Sequence, residues 1–232
     1  MILDLLRHDQ VMRTVPEDIA ASSCEQSITN MLGGTMRFNN FLITLALSFG
    51  ATTGFAQPEK YEIDPVHSNI GFTVRHMVIA KVSGGFKKFS GTILYDEKDI
   101  TKSSVNVTIN ATSIDTDNER RDNHLRSADF LNAAEDSVIT FISKKIEKRG
   151  DGYVAIGDLT IRKVTKQIEL PFKILGKIED SRSKRIGIEA GLTIDRFDYD
   201  VKWDRTLETG GLVVSREVDV NLTIEAIARK GQ

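Results

Sequence analysis

Apolar and polar residues alternate with a period of two along most of the chain after residue 57. The last run is the clearest: every second position from Val218 to Ala228 is apolar, while Glu217, Asp219 and Asn221 occupy positions between them. Alternation of this kind is typical of a β-strand with one buried face. The same pattern recurs in four earlier runs, at 70–76, 105–111, 168–174 and 186–194.

Turn-forming residues separate these runs, for example at 84–85, 96–99, 150–152 and 180–183. The pattern predicts roughly eight or nine strands, mostly antiparallel and joined by short connections. A helical period competes only at 118–131, where we expect a short helical or loop insertion. The predicted fold class is all-β. Its sheet must bury one face, either as a sandwich or as a closed barrel of about eight strands that is filled or hollow.

Residues 36–56 have the composition of a secretory signal peptide. Met36-Arg37 supplies a positive charge, an apolar stretch follows at 41–49, and small residues precede Gln57. The apolar stretch is short for a membrane span and is interrupted by polar residues. We therefore predict cleavage near Gln57 and a periplasmic mature protein, with a retained N-terminal anchor as the alternative.

Residues 1–35 precede this signal and lack its basic character. We predict that they are an upstream extension outside the mature protein, the alternative being a genuine extension that is disordered or weakly helical. Loss of residues 1–56 also removes Cys24, the only cysteine of the chain. The mature domain, predicted to span residues 57–232, then has no disulfide and no cysteine metal site.

The charge of the predicted mature domain is balanced. Three of the 31 Lys and Arg residues and five of the 33 Asp and Glu residues lie in 1–56, so residues 57–232 carry 28 of each sign. A balanced domain has no broad electrostatic attraction to nucleic acid or to anionic membranes. We predict neither a nucleic-acid partner nor a stable membrane span after cleavage.

The three histidines of residues 57–232 do not have a spacing that indicates a metal site. His76 has the same parity as the apolar residues of 70–74, which predicts that it points inward. An inward histidine is a metal ligand, a general base or, most commonly, a hydrogen-bonded anchor. His67 follows a turn at Asp64-Pro65, and His124 lies in the helical segment.

Acidic and nucleophilic residues also fail to complete a recognisable site. Asp115, Asp117 and Glu119 suggest a calcium loop, but arginines stand where that loop needs a glycine and a ligand. Ser68 and Ser127 lie near histidines, yet no Gly-x-Ser-x-Gly elbow is present. We therefore predict no metal and no catalytic residue.

Arg120, Arg121, His124 and Arg126 form a cationic cluster in the helical segment. Either it receives an anionic head group, or it pairs with the acidic residues of the same segment. Trp203, the single tryptophan, is expected to cover one end of the sheet structure. Five phenylalanines either line an apolar tunnel or form an ordinary core: Phe72, Phe86, Phe89, Phe130 and Phe141.

Five segments with distinctive motifs are spread across nearly the whole of residues 57–232. The longest is Arg121-Asp122 with His124-Leu125-Arg126-Ser127-Ala128-Asp129-Phe130-Leu131. The other four are short: 63–68 with Phe72 and His76, 85–91, 157–161 with Val164-Thr165, and 194–198. Together, and in this order, the five segments resemble the YceI-like family of secreted bacterial proteins.

The resemblance implies an extended lipocalin-like antiparallel β-barrel that binds amphiphilic lipids, especially polyisoprenoids, in an elongated apolar tunnel. It implies no cofactor other than a bound isoprenoid or quinone-like lipid. With the residue pattern, it predicts a tunnel wall and a polar rim for the head group. The wall is Phe72, Val74, Phe86, Phe89, Phe130 and Phe141, and the rim is His76, Arg121, His124 and Arg126.

Two alternatives to a non-catalytic carrier stay open. One is an enzyme that acts on such a lipid with His76 or His124 as acid or base, and the other is a structural, stress-related protein. A homodimer is also left open. The chain departs from the family pattern twice: Glu135-Asp136-Ser137 replaces a frequent proline, and Lys163 replaces a frequent turn glycine.

Overall fold

The computed structural model describes residues 57–77, 79–206 and 212–230. The predicted upstream extension at 1–35 and the predicted signal peptide at 36–56 lie outside these residues.

The described part of the chain is built almost entirely of β-strands. Its single α-helix, α1, spans Glu119–Arg126, and short 3₁₀ turns lie at Ile100–Lys102, Ala111–Ser113 and Arg196–Tyr199. The strands are β1 Glu59–Ile63, β2 Asn69–His76, β3 Ala80–Phe86, β4 Phe89–Tyr95, β5 Ser104–Asn110, β6 Ile114–Asp115, β7 Val138–Arg149, β8 Gly152–Ile161, β9 Val164–Glu179, β10 Ser183–Asp195 and β11 Val214–Arg229. No helix in these ranges is both long and apolar enough to cross a membrane.

Eight of the strands close into an antiparallel barrel. The hydrogen-bonded order is β1, β4, β5, β7, β8, β9, β10 and β11, and β11 returns to β1 through the pairs Glu62 with Ile227 and Ile63 with Ala226. Closure leaves none of these eight strands as a free sheet edge. The all-β fold predicted from the alternation and the lipocalin-like barrel implied by the family resemblance are therefore both confirmed.

The other three strands extend the wall at one end of the barrel. Strand β11 pairs with β1 near its C-terminus and with β2 along its N-terminal half, where Thr223 faces Asn69 and Val214 faces His76. Strand β2 continues the sheet into β3, and β3 into the short β6. This three-stranded extension brings Phe72, Val74 and His76 against the barrel interior.

Helix α1 lies beside this extension. It begins after Asn118, whose side-chain oxygen accepts a hydrogen bond from the Arg121 amide at 3.0 Å. Such a cap satisfies one of the amide groups that the first helical turn leaves unpaired. The buried Asp122 carboxylate accepts hydrogen bonds from the amide and hydroxyl of Thr116, and so fixes the helix to the end of β6. The helical turn predicted within 118–131 is confirmed.

Candidate functional site

The barrel encloses a cavity of about 490 Å³ with an almost wholly apolar wall. The inward faces of β2, β10 and β11 contribute the alternate residues that the sequence pattern assigned to one face, such as Phe72, Val74, Ile188, Leu192 and Val220. In an antiparallel barrel, successive side chains point alternately inward and outward. The period of two along the chain therefore builds an apolar interior that side chains leave partly empty.

Five of the six predicted tunnel residues line this cavity, namely Phe72, Val74, Phe86, Phe130 and Phe141. The sixth, Phe89, does not. It shares the inward-facing parity of Ile93 and Tyr95 on β4, but it packs against the buried core cluster that contains Ile63 and Ile70. Phe89 is thus half-buried against this cluster and does not reach the cavity surface.

Phe72 holds its position because Gly84 stands opposite it on β3. A Cβ atom at Gly84 would lie 2.6 Å from Cγ2 of Thr116 and 2.7 Å from Cζ of Phe72. Any side chain there would push the phenyl ring or the end of β6 away. The Phe72 ring also packs against Phe86, with 6.0 Å between ring centroids.

Aromatic rings meet at the end of the barrel where α1 lies. The centroid of the His124 ring lies 4.9 Å from that of Phe130 and 5.1 Å from that of Trp203. The centroids of the Phe130 and Trp203 rings are 5.1 Å apart. His124 Nε2 lies 2.9 Å from Oδ2 of Asp129, and 43% of the His124 side chain is exposed. Because His124 and Trp203 line the cavity and are not buried, we take this end as its mouth.

Arg121 is a fixed donor at the same end. Its Nε and Nη2 donate to the hydroxyl and the carbonyl of Thr116, both at 2.7 Å. The half-buried guanidinium also lines the cavity, and so does His76. Three of the four predicted rim residues, Arg121, His124 and His76, therefore line the same cavity.

Arg126, the fourth, does not line the cavity. Its guanidinium donates to the carbonyls of Thr112 and Ile114, at 2.8 and 2.7 Å, and to the side chain of Asn123. These bonds fasten α1 to the link between β5 and β6. Helical periodicity explains the difference, because a residue five positions after Arg121 lies on another side of the helix.

Sequence reasoning missed Arg196, which holds the mouth together. Its side chain is buried and lines the cavity, and burial lowers the pKa of its guanidinium. The guanidinium donates to four carbonyl oxygens, those of Val201, Trp203, Val214 and Ser215. It therefore ties the segment that carries Trp203 to the start of β11. The resemblance segment 194–198 contained this arginine, but its burial could not be read from the sequence.

A group of side chains with metal-ligating atoms lies away from the cavity. Ligand atoms of Asp64, His67 and Glu225 are all within 4.8 Å of one another. However, His67 Nδ1 already lies 2.8 Å from Asp64, and Arg185 pairs with Glu225. The hydrogen bond to Asp64 raises the pKa of His67. The geometry is that of an ion-pair cluster.

The serines next to histidines are held by backbone groups. Ser68 Oγ donates to the Glu225 carbonyl and accepts from the Glu225 amide, and Ser127 Oγ donates to the His124 carbonyl. Neither hydroxyl is bonded to an imidazole nitrogen, which nucleophilic catalysis by a serine would require.

A closed antiparallel barrel with an apolar interior and a few polar groups at one mouth defines a lipocalin-like protein. The family model described as "YceI-like domain" matches residues 61–226, so the chain belongs to the YceI family. "Protein YceI" of Escherichia coli O17:K52:H18 is 38% identical over 186 residues, which are 80% of this chain and 94% of the relative.

Two solved structures share the fold. The Campylobacter jejuni YCEI protein has a TM-score of 0.57 and 32% identity, over 68% of this chain and 90% of its own. A polyisoprenoid binding domain from Saccharophagus degradans, implicated in plant cell wall breakdown, has a TM-score of 0.52 and 17% identity, over 72% and 98% of the two chains. The second likeness concerns the fold alone.

Proposed function

We propose that this protein binds a polyisoprenoid or a similar amphiphilic lipid inside its barrel and acts as a non-catalytic carrier. The observation that carries the proposal is the enclosed apolar cavity of about 490 Å³ with polar side chains at one mouth. Each methylene group moved from water into such a cavity is favoured by about 0.8 kcal/mol. An elongated hydrocarbon chain is the ligand that gains most from this wall.

Membership of the YceI family and the shared fold of the Saccharophagus polyisoprenoid binding domain support the lipid class. At the mouth, Arg121 offers a guanidinium held by Thr116, and His124 and His76 offer imidazole nitrogens. A few placed polar groups beside an apolar pocket are the usual means of orienting a ligand. We assign these three residues to the head group, whether phosphate, quinone or amide.

The alternative function is an enzyme that acts on the bound lipid. The observation in its favour is the His124–Asp129 pair, 2.9 Å apart at the mouth, because a carboxylate that orients an imidazole is typical of acid–base catalysis. The two functions separate in one comparison. If the protein is a carrier, wild type and the His124→Gln variant both release the lipid chemically unchanged. If it is an enzyme, wild type converts the lipid and the His124→Gln variant does not.

We also propose that the protein is exported and begins at Gln57. The pattern of residues 36–56 supports this proposal. Edman sequencing of periplasmic protein should give Gln57 or a near neighbour as the first residue. Peptides from residues 1–35 on the exported protein would contradict both the predicted start at Met36 and the predicted cleavage.

The direct test of lipid binding is native mass spectrometry of the purified protein, followed by lipid extraction. Wild type should carry an apolar amphiphile. Phe72→Asp should lose it, because a carboxylate in the apolar wall is costly to desolvate without a partner. The matched control is Thr73→Asp on the outer face of the same strand, where Thr73 Oγ1 contacts Ser83 Oγ. Equal lipid content in wild type and a folded Phe72→Asp variant would contradict the proposal.

A further inference from the structure

The connection between β2 and β3 exposes large apolar side chains. Ile79 is 89% exposed and Met77 is 43% exposed, and the two lie close to each other in the connection. Ile79 and Met77 together present a small exposed apolar patch at the tip of this connection. The backbone is nevertheless fixed here, since the Met77 amide donates to the Val213 carbonyl at 2.8 Å.

A pair of cations stands directly behind this apolar tip. Arg75 and Lys81 face each other across β2 and β3, and both are exposed. Like charges at directly opposed positions destabilise an antiparallel pair. Within residues 57–77, 79–206 and 212–230, neither side chain has a carboxylate within ion-pair distance. This arrangement suits an external anion that both cations share.

The tip is continuous with the cavity mouth. His76 lies between Arg75 and Met77, pairs with Ala80 and Val214, and lines the cavity. Val213, whose carbonyl accepts the Met77 amide, also lines the cavity. A surface that receives Met77 and Ile79 would therefore lie against the opening of the barrel.

We propose that the β2–β3 tip docks on the surface of an anionic lipid bilayer. In this arrangement Met77 and Ile79 enter the boundary between head groups and acyl chains, and Arg75 and Lys81 contact lipid phosphates. The mouth then faces the bilayer, so an apolar ligand passes between membrane and barrel without crossing water. The passage of a ligand rests on the proposed carrier function, but the docking itself does not.

The size of the patch favours a bilayer over a protein partner. A stable protein interface involves about 20–30 residues on each side. Here two apolar side chains and two cations form the patch, which matches interfacial anchoring by apolar insertion with electrostatic attraction. The balanced charge of residues 57–232 is compatible with this, because the attraction comes from the local pair and acts only within about a Debye length.

The test is flotation of the protein with phosphatidylcholine vesicles, with and without phosphatidylglycerol. Ile79→Ser should weaken binding to the anionic vesicles about tenfold, since burial of one large apolar side chain corresponds to a decade or more in affinity. The double variant Arg75→Gln with Lys81→Gln should weaken binding to anionic vesicles more than tenfold, because each lost charge should reduce the affinity about fivefold. Its binding to vesicles of phosphatidylcholine alone should not change. Each variant is compared with wild type in the same chain, so residues 1–56 contribute equally.

The matched controls lie at or toward the other end of the barrel. Ile178→Ser removes an apolar side chain that is 69% exposed on β9, and Lys148→Gln with Lys173→Gln removes two exposed charges. Both control variants should bind vesicles like wild type. If they weaken binding as much as the tip variants do, binding is non-specific and the proposal is wrong. The proposal is also wrong if Ile79→Ser leaves vesicle binding unchanged but converts a dimer into a monomer in sedimentation. The tip would then be the interface with a second copy of the protein.

A binding assay with a short, water-soluble prenyl alcohol separates this inference from the carrier function. Tip variants should keep wild-type affinity for the prenyl alcohol while losing vesicle binding. Unchanged vesicle binding in the tip variants would overturn the docking proposal and leave the carrier function intact. Failure of wild type to bind prenyl chains would overturn the carrier function, whereas docking is judged by the vesicle data alone.

Discussion

Nζ of Lys163 lies 2.7 Å from Oδ1 of Asp136, and the side chain of Asp136 is only 6% exposed. Both residues stand where the chain departs from the family pattern. Lys163 has φ 62° and its neighbour Arg162 has φ 49°, which is the left-handed backbone that a two-residue hairpin turn between β8 and β9 requires. Glycine adopts this backbone most easily. The ion pair therefore gives the lysine a role that a glycine could not have.

The pair predicts a specific coupling between the two positions. Asp136→Asn should lower the urea midpoint in the wild-type background, because Lys163 lowers the pKa of the Asp136 carboxyl and so stabilises the folded state. In a Lys163→Gly background the same change should have little effect. Equal effects in the two backgrounds would show that the ion pair contributes nothing.

Gly157 is required by close packing. A Cβ atom there would lie 2.4 Å from the Ile142 carbonyl oxygen and 2.7 Å from Cα of Ser143, where β7 has an irregular register against β8. Gly157→Ala should lower the free energy of unfolding by about 2 kcal/mol. The control is Gly176→Ala on β9, where no atom lies within 4 Å of the added Cβ, and we expect a change within about 1 kcal/mol. Chemical denaturation of both variants measures the difference.

Arg196 and Arg216 both place their guanidinium over the Phe197 ring, at 4.8 and 4.7 Å from its centroid, but they differ in burial. Arg196→Leu removes the donor to four carbonyls and leaves the nearby carboxylate of Asp204 without its cation. It should destabilise the protein by about 3–5 kcal/mol. Arg216→Leu removes an exposed pair with Asp195 and should have a small effect. Similar thermal shifts for the two variants would contradict the assigned role of Arg196.

The Asp64–His67 pair predicts a pH dependence of stability. The pair lowers the pKa of Asp64 below its ordinary value of 3.8 and raises the pKa of His67 above its ordinary value of 6.5. The stabilisation of the folded state by Asp64 is fully present above pH 3.8 and is lost as the pH falls through the folded-state pKa of Asp64. The stabilisation by His67 is fully present below pH 6.5 and is lost as the pH rises through the folded-state pKa of His67. The pair therefore stabilises most between these two values.

His67→Gln should accordingly reduce the melting temperature most between pH 3.8 and 6.5, and least above the folded-state pKa of His67. The measurement is the difference in melting temperature between wild type and variant across the pH range. A difference that does not vary with pH would show that His67 acts by packing alone.

The residue pattern was sufficient to predict an all-β fold and most of the cavity wall, and the family resemblance selected the barrel over a sandwich. The alternation from Val218 to Ala228 defined β11, and the parity of Phe72 and His76 placed them inside, because the period of a strand is independent of tertiary context. The short helix between β6 and β7 was also predictable, because a helical period competes with the strand period at 118–131. Local periodicity therefore specified the secondary structure and the apolar character of the cavity wall.

Other features depend on contacts between distant segments. Arg126 has the same residue type as Arg121, but its bonds to Thr112 and Ile114 turn it away from the mouth. Phe89 has the right parity, yet it packs half-buried against a core cluster and does not line the cavity. Arg196 is buried because carbonyls from two segments converge on it, Val201 and Trp203 from one and Val214 and Ser215 from the other. None of these arrangements has a local sequence signal, since charge and parity do not specify depth or partner.

The central claim is that an elongated apolar chain occupies the cavity, and the most direct measurement is the affinity for prenyl alcohols of graded length. Each isoprene unit adds about five carbons, and burying them favours binding by up to about 4 kcal/mol. The net gain in binding free energy for each unit should be much smaller, because ordering the chain opposes binding. Wild-type affinity should rise with chain length and then reach a plateau. Ala190→Trp, which fills the cavity from β10, should reach the plateau at a shorter chain, and Glu189→Trp on the outer face of β10 should match wild type. Affinity that is independent of chain length, or equal plateaus for Ala190→Trp and Glu189→Trp in folded proteins, would contradict the account.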